Sequence, residues 1–433
     1  MSVSPRAAPG RPNNPGPTER VRVRYSALTF DRHPVPTRLA PLQVIAYTAT
    51  SAVGIGKAPM RAAVAGHRGG LRPNDFGHDP LPTWIGRVDG VETPLPDPLA
   101  HWDCRNNRLA WLGLNADGFS GAVAAACERH GAARIGLVMG TSTSSIGATE
   151  DAYRVLDADG RFPPHLRSTR LHTPHSLGNF VQEALALAGP CMTVSTACSS
   201  SAKAFAVAER WLRLGLVDAA VVGGADTLCG SVLFGFNALQ LVSPQPCRPF
   251  DVQRSGINLG EAAGFALLER AGPGEGALQL VGYGESSDAH HMSAPHPDGL
   301  GAERALGDAL ARAGLAADEV DYINLHGTAS AKNDEVEAAL VARRFGARTH
   351  ASSTKGFTGH TLGAAGIVEA AFGLLAIETG LMPGTLGAEQ LDPACGPQIR
   401  LQPAQGEVRV ALSNSFGFGG TNCVLVFARG ASR

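Results

Sequence analysis

The sequence predicts an α/β protein made of two similar halves, and two observations lead to this prediction. Short apolar runs typical of buried strands alternate with longer segments whose apolar residues recur every three or four positions, as on one face of a helix. Strands that alternate with helices form βα units and mainly parallel sheets. This order occurs twice, and each half ends in an apolar, hairpin-like strand, Ala263–Glu269 in the first and Val424–Phe427 in the second.

The first half, residues 41–270, follows a tail of different composition. Residues 1–40 contain seven prolines and seven arginines, which predicts a disordered basic tail. A proline- and aromatic-rich stretch, Asp75–Asn107, predicts a long irregular excursion. The regular elements predicted for this half are the strand Leu42–Tyr47, the helix Lys57–Ala65, the strand Ile135–Met139, the helix Leu177–Leu187, a strand ending at Val194, the helix Ser199–Leu214, and the strands Ala219–Gly223 and Ala263–Glu269.

The second half, residues 271–433, repeats the alternation. Its predicted elements are the strand Leu278–Glu285, the helix Glu303–Ala313, the strand Tyr322–Leu325, the helix Asp334–Phe345, the strand Thr349–Ser353, a Gly/Ala-rich helix from Gly363 to about Thr379, and the strand Val424–Phe427.

Composition and net charge argue against a nucleic-acid-binding or membrane protein. The net charge of −1 gives no electrostatic reason to expect nucleic-acid or membrane-surface binding. No apolar run approaches the ~18 residues of a membrane span, so none is predicted. Only 17% of the residues are charged, which suits a chain that buries surface against a second copy of itself. The eight cysteines form no C-x-x-C pair, which predicts reduced thiols and a cytoplasmic protein.

Cys198 is the predicted nucleophile because it lies where a strand gives way to a helix. The unpaired N–H groups of the helix's first turn and the helix dipole favour an anion, which a reactive thiol must become. This effect is worth roughly 0.3–1 kcal/mol, whereas one pKa unit corresponds to about 1.36 kcal/mol. The helix alone therefore cannot ionise the thiol, and a partner group is needed.

Two histidines follow other predicted strands. His326 comes directly after Tyr322–Leu325, and His360 follows Thr349–Ser353, each among glycines and small residues that let a substrate approach. Ligands of open α/β sheets bind at the carboxyl ends of strands, where Cys198 also lies. The glycines of residues 414–422, NSFGFGGTN, leave backbone N–H groups free to enter the same site.

Four segments in this order, TACSSS, HGTASAKND, STKGFTGH and NSFGFGGTN, resemble the β-ketoacyl-acyl carrier protein synthases, the elongating condensing enzymes of fatty acid and polyketide synthesis. The resemblance extends from about Pro41 to Phe427. It implies a duplicated thiolase-like fold, layered α-β-α-β-α, with two mixed, mainly parallel sheets. It also implies a homodimer, with a heterodimer as the other arrangement, and a first half that carries the nucleophile while the second carries both histidines.

The resemblance also implies residue roles. Cys198, His326 and His360 match the catalytic triad, and Lys355 and Glu369 match its supporting pair. The backbone N–H groups of Cys198 and Phe418 match the oxyanion hole. Residues that match the substrate-binding positions are Phe236, which lines the acyl pocket, Thr328 and Ser330, which contact the pantetheine arm, and Phe416 and Gly419.

The implied reaction is a decarboxylative condensation. An acyl group moves from an acyl carrier protein to Cys198, a malonyl group on a second carrier loses carbon dioxide, and the resulting carbanion attacks the acyl thioester. A histidine at position 360, where initiating synthases have asparagine, favours elongation from a carrier-bound acyl chain. No metal or redox cofactor is expected, because phosphopantetheine arrives on the carrier substrates.

Three alternatives have sequence support. Some relatives with this fold are non-catalytic partner subunits that set chain length, but the presence of Cys198 and both histidines argues against that role. Ser352 and Lys355 fit the S-x-x-K pattern of serine hydrolases, whose companion motifs are absent. A metal site is the third alternative, with the candidate ligands Asp288, His290, His291 and His296 in a proline-containing loop.

Overall fold

The core of the protein is one continuous sheet of eleven strands, ten of which divide into a first and a second five-stranded sheet of the same design. The computed structural model describes residues 38–78, 80–272 and 276–430, and the predicted tail lies outside them up to residue 37. The strands are β1 Leu42–Ser51, β2 Gly54–Ile55, β3 Leu71–Pro73, β4 Trp84–Gly86, β5 Ile135–Gly140, β6 Cys191–Val194, β7 Ala219–Asp226, β8 Leu259–Gly260, β9 Ala262–Arg270, β10 Leu278–Ser287, β11 Tyr322–Leu325, β12 His350–Ser353, β13 Leu381–Met382, β14 Ala404–Gln405, β15 Val410–Gly417 and β16 Thr421–Arg429.

Helices lie between these strands, either singly or in pairs. They are α1 Lys57–Ala65, α2 Arg105–Leu114, α3 Phe119–His130, α4 Ile146–Arg154, α5 Ser176–Ala184, α6 Ser200–Arg213, α7 Gly230–Ala238, α8 Leu300–Ala313, α9 Ala331–Arg344, α10 Lys355–Thr358 and α11 Ala365–Thr379. Short 3-10 helices cover Asp97–Trp102, Ala132–Arg134, Pro164–Leu166, Ala317–Glu319, Leu362–Ala364 and Phe418–Gly420.

The strand order confirms the duplication. The first sheet has the order β1-β9-β7-β5-β6 and the second has β10-β16-β15-β11-β12. In both, the first two pairings are antiparallel and the last two are parallel. The sheets are therefore mixed, with antiparallel pairs as numerous as parallel ones, because the last strand of each half returns into the middle of its sheet. The sheets meet where Leu42 and Gln43 of β1 pair with β10.

The helices complete five layers. Helices α6 and α11 lie between the two sheets, and one apolar cluster contains residues of both helices and of strands from both sheets. The outer face of the first sheet packs against α2, α3 and α5, and that of the second against α8 and α9. The middle helices approach closely, because a Cβ on Gly366 would lie 2.5 Å from the backbone nitrogen of Ala202.

The central helix corrects one prediction from composition. The segment Leu362–Thr379 is long and apolar enough to cross a membrane by length and composition, with a mean hydropathy of 1.5, so the prediction that no such run exists was wrong. In the folded protein 89% of this segment is buried. Its apolar character comes from contact with helices and strands on all sides.

Several helices of the first half escaped prediction. Helix α2 begins inside the predicted irregular excursion, and its buried Asn106 and Asn107 interrupt the apolar pattern that would have revealed it. Helix α7 is apolar and glycine-containing around its whole circumference, so it shows no helical period. The excursion is otherwise largely irregular, as predicted, apart from β4 and the 3-10 helix Asp97–Trp102.

Candidate active site

Cys198 lies in the turn between β6 and α6, as the sequence predicts. The preceding residue, Ala197, has a φ of +52°, a left-handed conformation that costs free energy in a residue other than glycine. The Ser200 hydroxyl holds this turn, since it accepts a hydrogen bond from the Thr196 N–H at 2.9 Å and donates one to the Ala197 carbonyl at 2.5 Å. The thiol is thereby fixed beside the first turn of α6.

His360 lies directly against the thiol. Its Nε2 is 3.0 Å from Cys198 Sγ, and the backbone N–H of Leu362 donates to its Nδ1 at 3.3 Å. A neutral imidazole carries one proton, so an Nδ1 that accepts leaves the proton on Nε2. His360 therefore presents an N–H donor to the sulfur.

His326 is the second imidazole of the site. It follows β11, and its ring is nearly perpendicular to that of His360, with centroids 5.4 Å apart. The Lys355 ammonium, which can only donate, lies 3.4 Å from His326 Nδ1, so the proton of this ring also belongs on Nε2. Nitrogen atoms of the two histidines and Cys198 Sγ all lie within 4.8 Å of one another.

Lys355 and Glu369 form a buried ion pair behind His326. The Lys355 ammonium donates to the Glu369 carboxylate and, at 2.5 Å, to the His326 carbonyl. Their side chains are only 2% and 4% exposed. Burial raises the pKa of Glu369 to about 7, while the neighbouring ammonium acts in the opposite direction.

Glu337 also positions His326, and sequence reasoning missed it. Its buried carboxylate on α9 accepts the backbone N–H groups of His326 at 2.8 Å and Gly327 at 2.7 Å, and the Asn414 amide at 3.0 Å. Burial raises the pKa of Glu337 to about 7. The available signal was an acidic residue on the apolar face of a helix, since Glu337 shares the buried side of α9 with Leu340 and Val341.

The electrostatics of the thiol differ from the sequence-based expectation. Burial raises the pKa of Cys198 to about 11, although Lys355 and the Phe418 backbone N–H both favour the thiolate. Loss of solvation thus outweighs the effects of Lys355 and of the Phe418 N–H on the thiol pKa. Burial, followed by the charge of Lys355, holds the pKa of His326 and of His360 well below the usual 6.5. At neutral pH the thiol is protonated and both rings are neutral.

These groups open into one cavity of about 280 Å³. The predicted site residues that line it are Cys198, His326, His360, Phe236, Thr328, Ser330, Phe416 and Phe418. The predicted residues Lys355 and Glu369 do not line this cavity but lie behind the residues that do. Gly419 is not part of the lining either, since its N–H binds the Met292 carbonyl at 2.7 Å in the neighbouring loop.

Two of the alternative sites are not formed in the described part of the chain. The Ser352 hydroxyl lies 3.3 Å from that of Tyr322, while Lys355 binds Glu369, so no serine–lysine pair exists. Among described residues, the one group of three or more metal-ligand side chains with suitably close atoms is Cys198, His326 and His360. Asp288 instead accepts the Asn422 amide at 2.8 Å beside the cavity.

Comparison with known proteins gives a consistent result. The family model described as β-ketoacyl synthase, N-terminal domain, matches residues 108–273, and the model of the C-terminal domain matches residues 278–389. Nodulation protein E of Rhizobium meliloti (strain 1021) is 37% identical over 311 residues, which cover 70% of this chain and 77% of that protein. The 3-oxoacyl-[acyl-carrier-protein] synthase 2 of Synechocystis sp. is 34% identical over 320 residues, covering 68% and 75%.

Solved structures agree in fold. The ketosynthase ApeO, solved in complex with its chain length factor ApeC from Xenorhabdus doucetiae, is 36% identical with a TM-score of 0.81, covering 90% of this chain and 98% of that one. A β-ketoacyl synthase from Burkholderia phymatum is 27% identical with a TM-score of 0.79, covering 90% and 100%.

Proposed function

The chain belongs to the β-ketoacyl synthase family, and we propose that it condenses a malonyl group with an acyl group that Cys198 holds as a thioester. It is a β-ketoacyl-acyl carrier protein synthase, an acyltransferase that lengthens an acyl group by two carbons. The observation that carries the residue roles is that one buried thiol and two neutral imidazoles line a single cavity.

The first step is acyl transfer. Cys198 Sγ attacks the acyl-carrier thioester, the new carbon–sulfur bond forms as the pantetheine sulfur leaves, and the thiol proton goes to that leaving sulfur. The backbone N–H groups of Cys198 and Phe418 stabilise the oxyanion, and one such donor is worth roughly 2.7–4 kcal/mol. The N–H of Phe418 already favours negative charge on Cys198 in the resting site.

The second step is decarboxylation of the malonyl thioester. Its carbon–carbon bond breaks, carbon dioxide leaves, and the electron pair is shared with the thioester oxygen as an enolate. Nε2–H groups of His326 and His360 donate to that oxygen. Both rings can do so at neutral pH because burial and the Lys355 ammonium keep them uncharged, and Lys355 also fixes the proton of His326 on Nε2.

Condensation completes the cycle. The enolate carbon attacks the acyl carbonyl on Cys198, and the carbon–sulfur bond to Cys198 breaks as the new carbon–carbon bond forms. The departing thiolate takes up one proton from water, and the β-ketoacyl carrier dissociates. Every electron pair in this sequence comes from the substrates or the thiol, so the reaction as proposed requires no metal or redox cofactor. The phosphopantetheine arms belong to the carriers.

Substrate contacts follow from the cavity lining. Phe236, whose ring centroid lies 5.4 Å from that of Phe418, and Phe416 form its apolar part and are assigned to the acyl chain. Thr328 and Ser330, with hydroxyl oxygens 2.9 Å apart, are assigned to the amide-bearing pantetheine arm. Gly419 shapes the loop behind Phe418 rather than contacting substrate.

The proposed partners are acyl- and malonyl-loaded carrier proteins in the cytoplasm and a second synthase subunit. Strand β6 ends the first sheet with one described neighbour, β5, and Met192 on it is 41% exposed. Such an edge can pair with another chain. We propose that this edge pairs with the same edge of a second copy of the chain in a homodimer. Because ApeO was solved in complex with a chain length factor, a heterodimer is the alternative to be tested. Light scattering of the purified chain at twice 44.8 kDa supports the homodimer, and a monomer that dimerises with a second gene product supports the heterodimer.

A reconstituted condensation assay tests the function. The purified chain is incubated with acyl-carrier and malonyl-carrier, and carrier-bound products are weighed by mass spectrometry. Wild-type protein and Cys229→Ala, which loses a buried thiol outside the catalytic cavity, are expected to form the two-carbon-longer β-ketoacyl carrier. Cys198→Ala is expected to form none. Equal activity of Cys198→Ala would reject the assignment.

The same mass-spectrometric assay identifies the class of acyl group that Cys198 accepts. Wild-type protein is offered a mixed pool of saturated, unsaturated and polyketide acyl-carriers without malonyl-carrier. The acyl group that accumulates on Cys198 distinguishes primary fatty acid synthesis from a polyene or polyketide pathway.

A further inference from the structure

Asp226 is a fully buried carboxylate with no part in the reaction described above. It ends β7, and its described partners are hydroxyl and backbone N–H groups rather than a cation. The carboxylate accepts hydrogen bonds from Thr141 Oγ1 at 2.7 Å, from the backbone and hydroxyl of Thr143 at 2.6 Å each, and from the backbone of Ser142 at 2.9 Å. Burying a charge without a counter-ion is costly unless hydrogen bonds compensate, so this arrangement requires an explanation.

A further hydrogen bond crosses from the first half of the chain to the second. Asp226 Oδ2 accepts the backbone N–H of Ala364 at 3.0 Å. Ala364 ends the short 3-10 helix Leu362–Ala364, which follows His360 after one residue. The contact is tight, because a Cβ on Gly363 would lie 2.7 Å from the Ser142 nitrogen and 2.8 Å from Asp226 Oδ2.

The same short helix determines the orientation of His360. Leu362, two residues before Ala364, donates its N–H to His360 Nδ1, and its φ of +55° is a conformation that leucine rarely adopts. Surrounding contacts must hold it there. The bond from Asp226 to Ala364 is one such contact, and the fit of Gly363 against residues 141–142 is another.

We propose that Asp226 is a positioning residue for condensation: it holds the Leu362–Ala364 turn so that Leu362 N–H stays on Nδ1 of His360 and the Nε2–H stays on the reacting oxygen. The proposal rests on the function assigned above. An amide in place of the carboxylate presents its NH₂ group either to the Thr143 donors, which bind Oδ1, or to the Ala364 N–H, which binds Oδ2, so it cannot accept all of these bonds.

Asp226 does not serve to ionise the Cys198 thiol. Charged groups near Cys198 come from three elements, Lys355 on α10, Glu369 on α11 and Asp226 on β7, and both imidazoles are neutral. The charge of Asp226 raises the pKa of Cys198 and so opposes thiolate formation. Removing this charge and disturbing the turn therefore have separate, measurable consequences.

The test compares Asp226→Asn with Asp251→Asn. Asp251 is a matched control: it is also buried and accepts the backbone N–H groups of Glu389 and Gln390, but it does not line the cavity. In Asp226→Asn we expect the kcat for malonyl-carrier decarboxylation to fall at least tenfold while KM changes less than twofold. The pH profile of Cys198 alkylation is expected to shift to lower pH. Asp251→Asn should change the melting temperature without either effect.

Gly363→Ala is the second variant and keeps the charge. It is expected to lower the decarboxylation kcat without shifting the pH profile of Cys198 alkylation to lower pH. If Asp226→Asn does not fold, Gly363→Ala alone tests the proposal. Wild-type kcat in both variants, or in Gly363→Ala when it alone folds, would overturn the proposal, as would an equal loss in Asp251→Asn. A wild-type protein that does not condense would instead reject the proposed function.

Discussion

Replacement of His326 by alanine removes one of the two N–H donors assigned to the enolate. The neighbouring ion pair should survive, because Lys355 binds Glu369 and the backbone carbonyl of residue 326, both of which remain. The loss of one donor at a developing oxyanion costs about 2.7–4 kcal/mol, so decarboxylation of malonyl-carrier should slow by roughly 10²–10³-fold. Acyl loading of Cys198 should change only a few-fold, since its donors are the backbone N–H groups of Cys198 and Phe418.

Two assays separate these steps. Carbon dioxide released from malonyl-carrier measures decarboxylation, and intact-protein mass spectrometry measures acyl loading. His350→Ala is the control, because His350 is also buried but its Nε2 binds the Pro383 carbonyl at 2.7 Å, outside the cavity. Decarboxylation at the wild-type rate in His326→Ala, or the same loss in His350→Ala, would refute the role of His326.

Three further predictions concern the same cavity. Alkylation of Cys198 should stop condensation, and with a pKa of about 11 the rate of Cys198 labelling should rise roughly tenfold per pH unit from pH 7 to 10; a plateau near pH 8 contradicts this. Lys355→Met should lower the free energy of unfolding, measured by chemical denaturation, by about 3–5 kcal/mol because Glu369 stays buried without its partner. Adding Glu369→Gln should recover part of that loss. If the effects of the two substitutions on the free energy of unfolding simply add, the ion pair does not contribute as proposed. Phe236→Ala should improve kcat/KM for longer acyl-carriers by about fourfold per added methylene, since each buried CH₂ is worth about 0.8 kcal/mol; an unchanged acyl preference removes Phe236 from the pocket.

The elements with strong periodicity are predictable from sequence. Helix α1 and strand β11 have the predicted bounds, and the duplicated order of strands is confirmed by two sheets with the same pairing pattern. The short strand before Cys198 and the histidines after β11 and β12 are enough to predict a site at the strand ends.

Features that depend on several segments were not predictable. Helix α2 hides its period because Asn106 and Asn107 face the interior, and the charge state of Cys198 depends on burial by residues from both halves. Lys355 would be taken for a surface residue without the family resemblance, since nothing in the local sequence reveals that Glu369 lies against it. Glu337 accepts backbone N–H groups ten and eleven residues away, on a different element, and Asp226 accepts one that is 138 residues away, so neither contact leaves a local pattern.

In the proposed reaction, Cys198 carries the acyl group and transfers it to a two-carbon extender. Peptide mass spectrometry of the chain, after incubation with acyl-carrier and again after malonyl-carrier is added, tests it most directly. We expect an acyl thioester on the Cys198 peptide that disappears as a β-ketoacyl carrier two carbons longer forms. An adduct on another residue, or one on Cys198 that persists when malonyl-carrier is added, would contradict it.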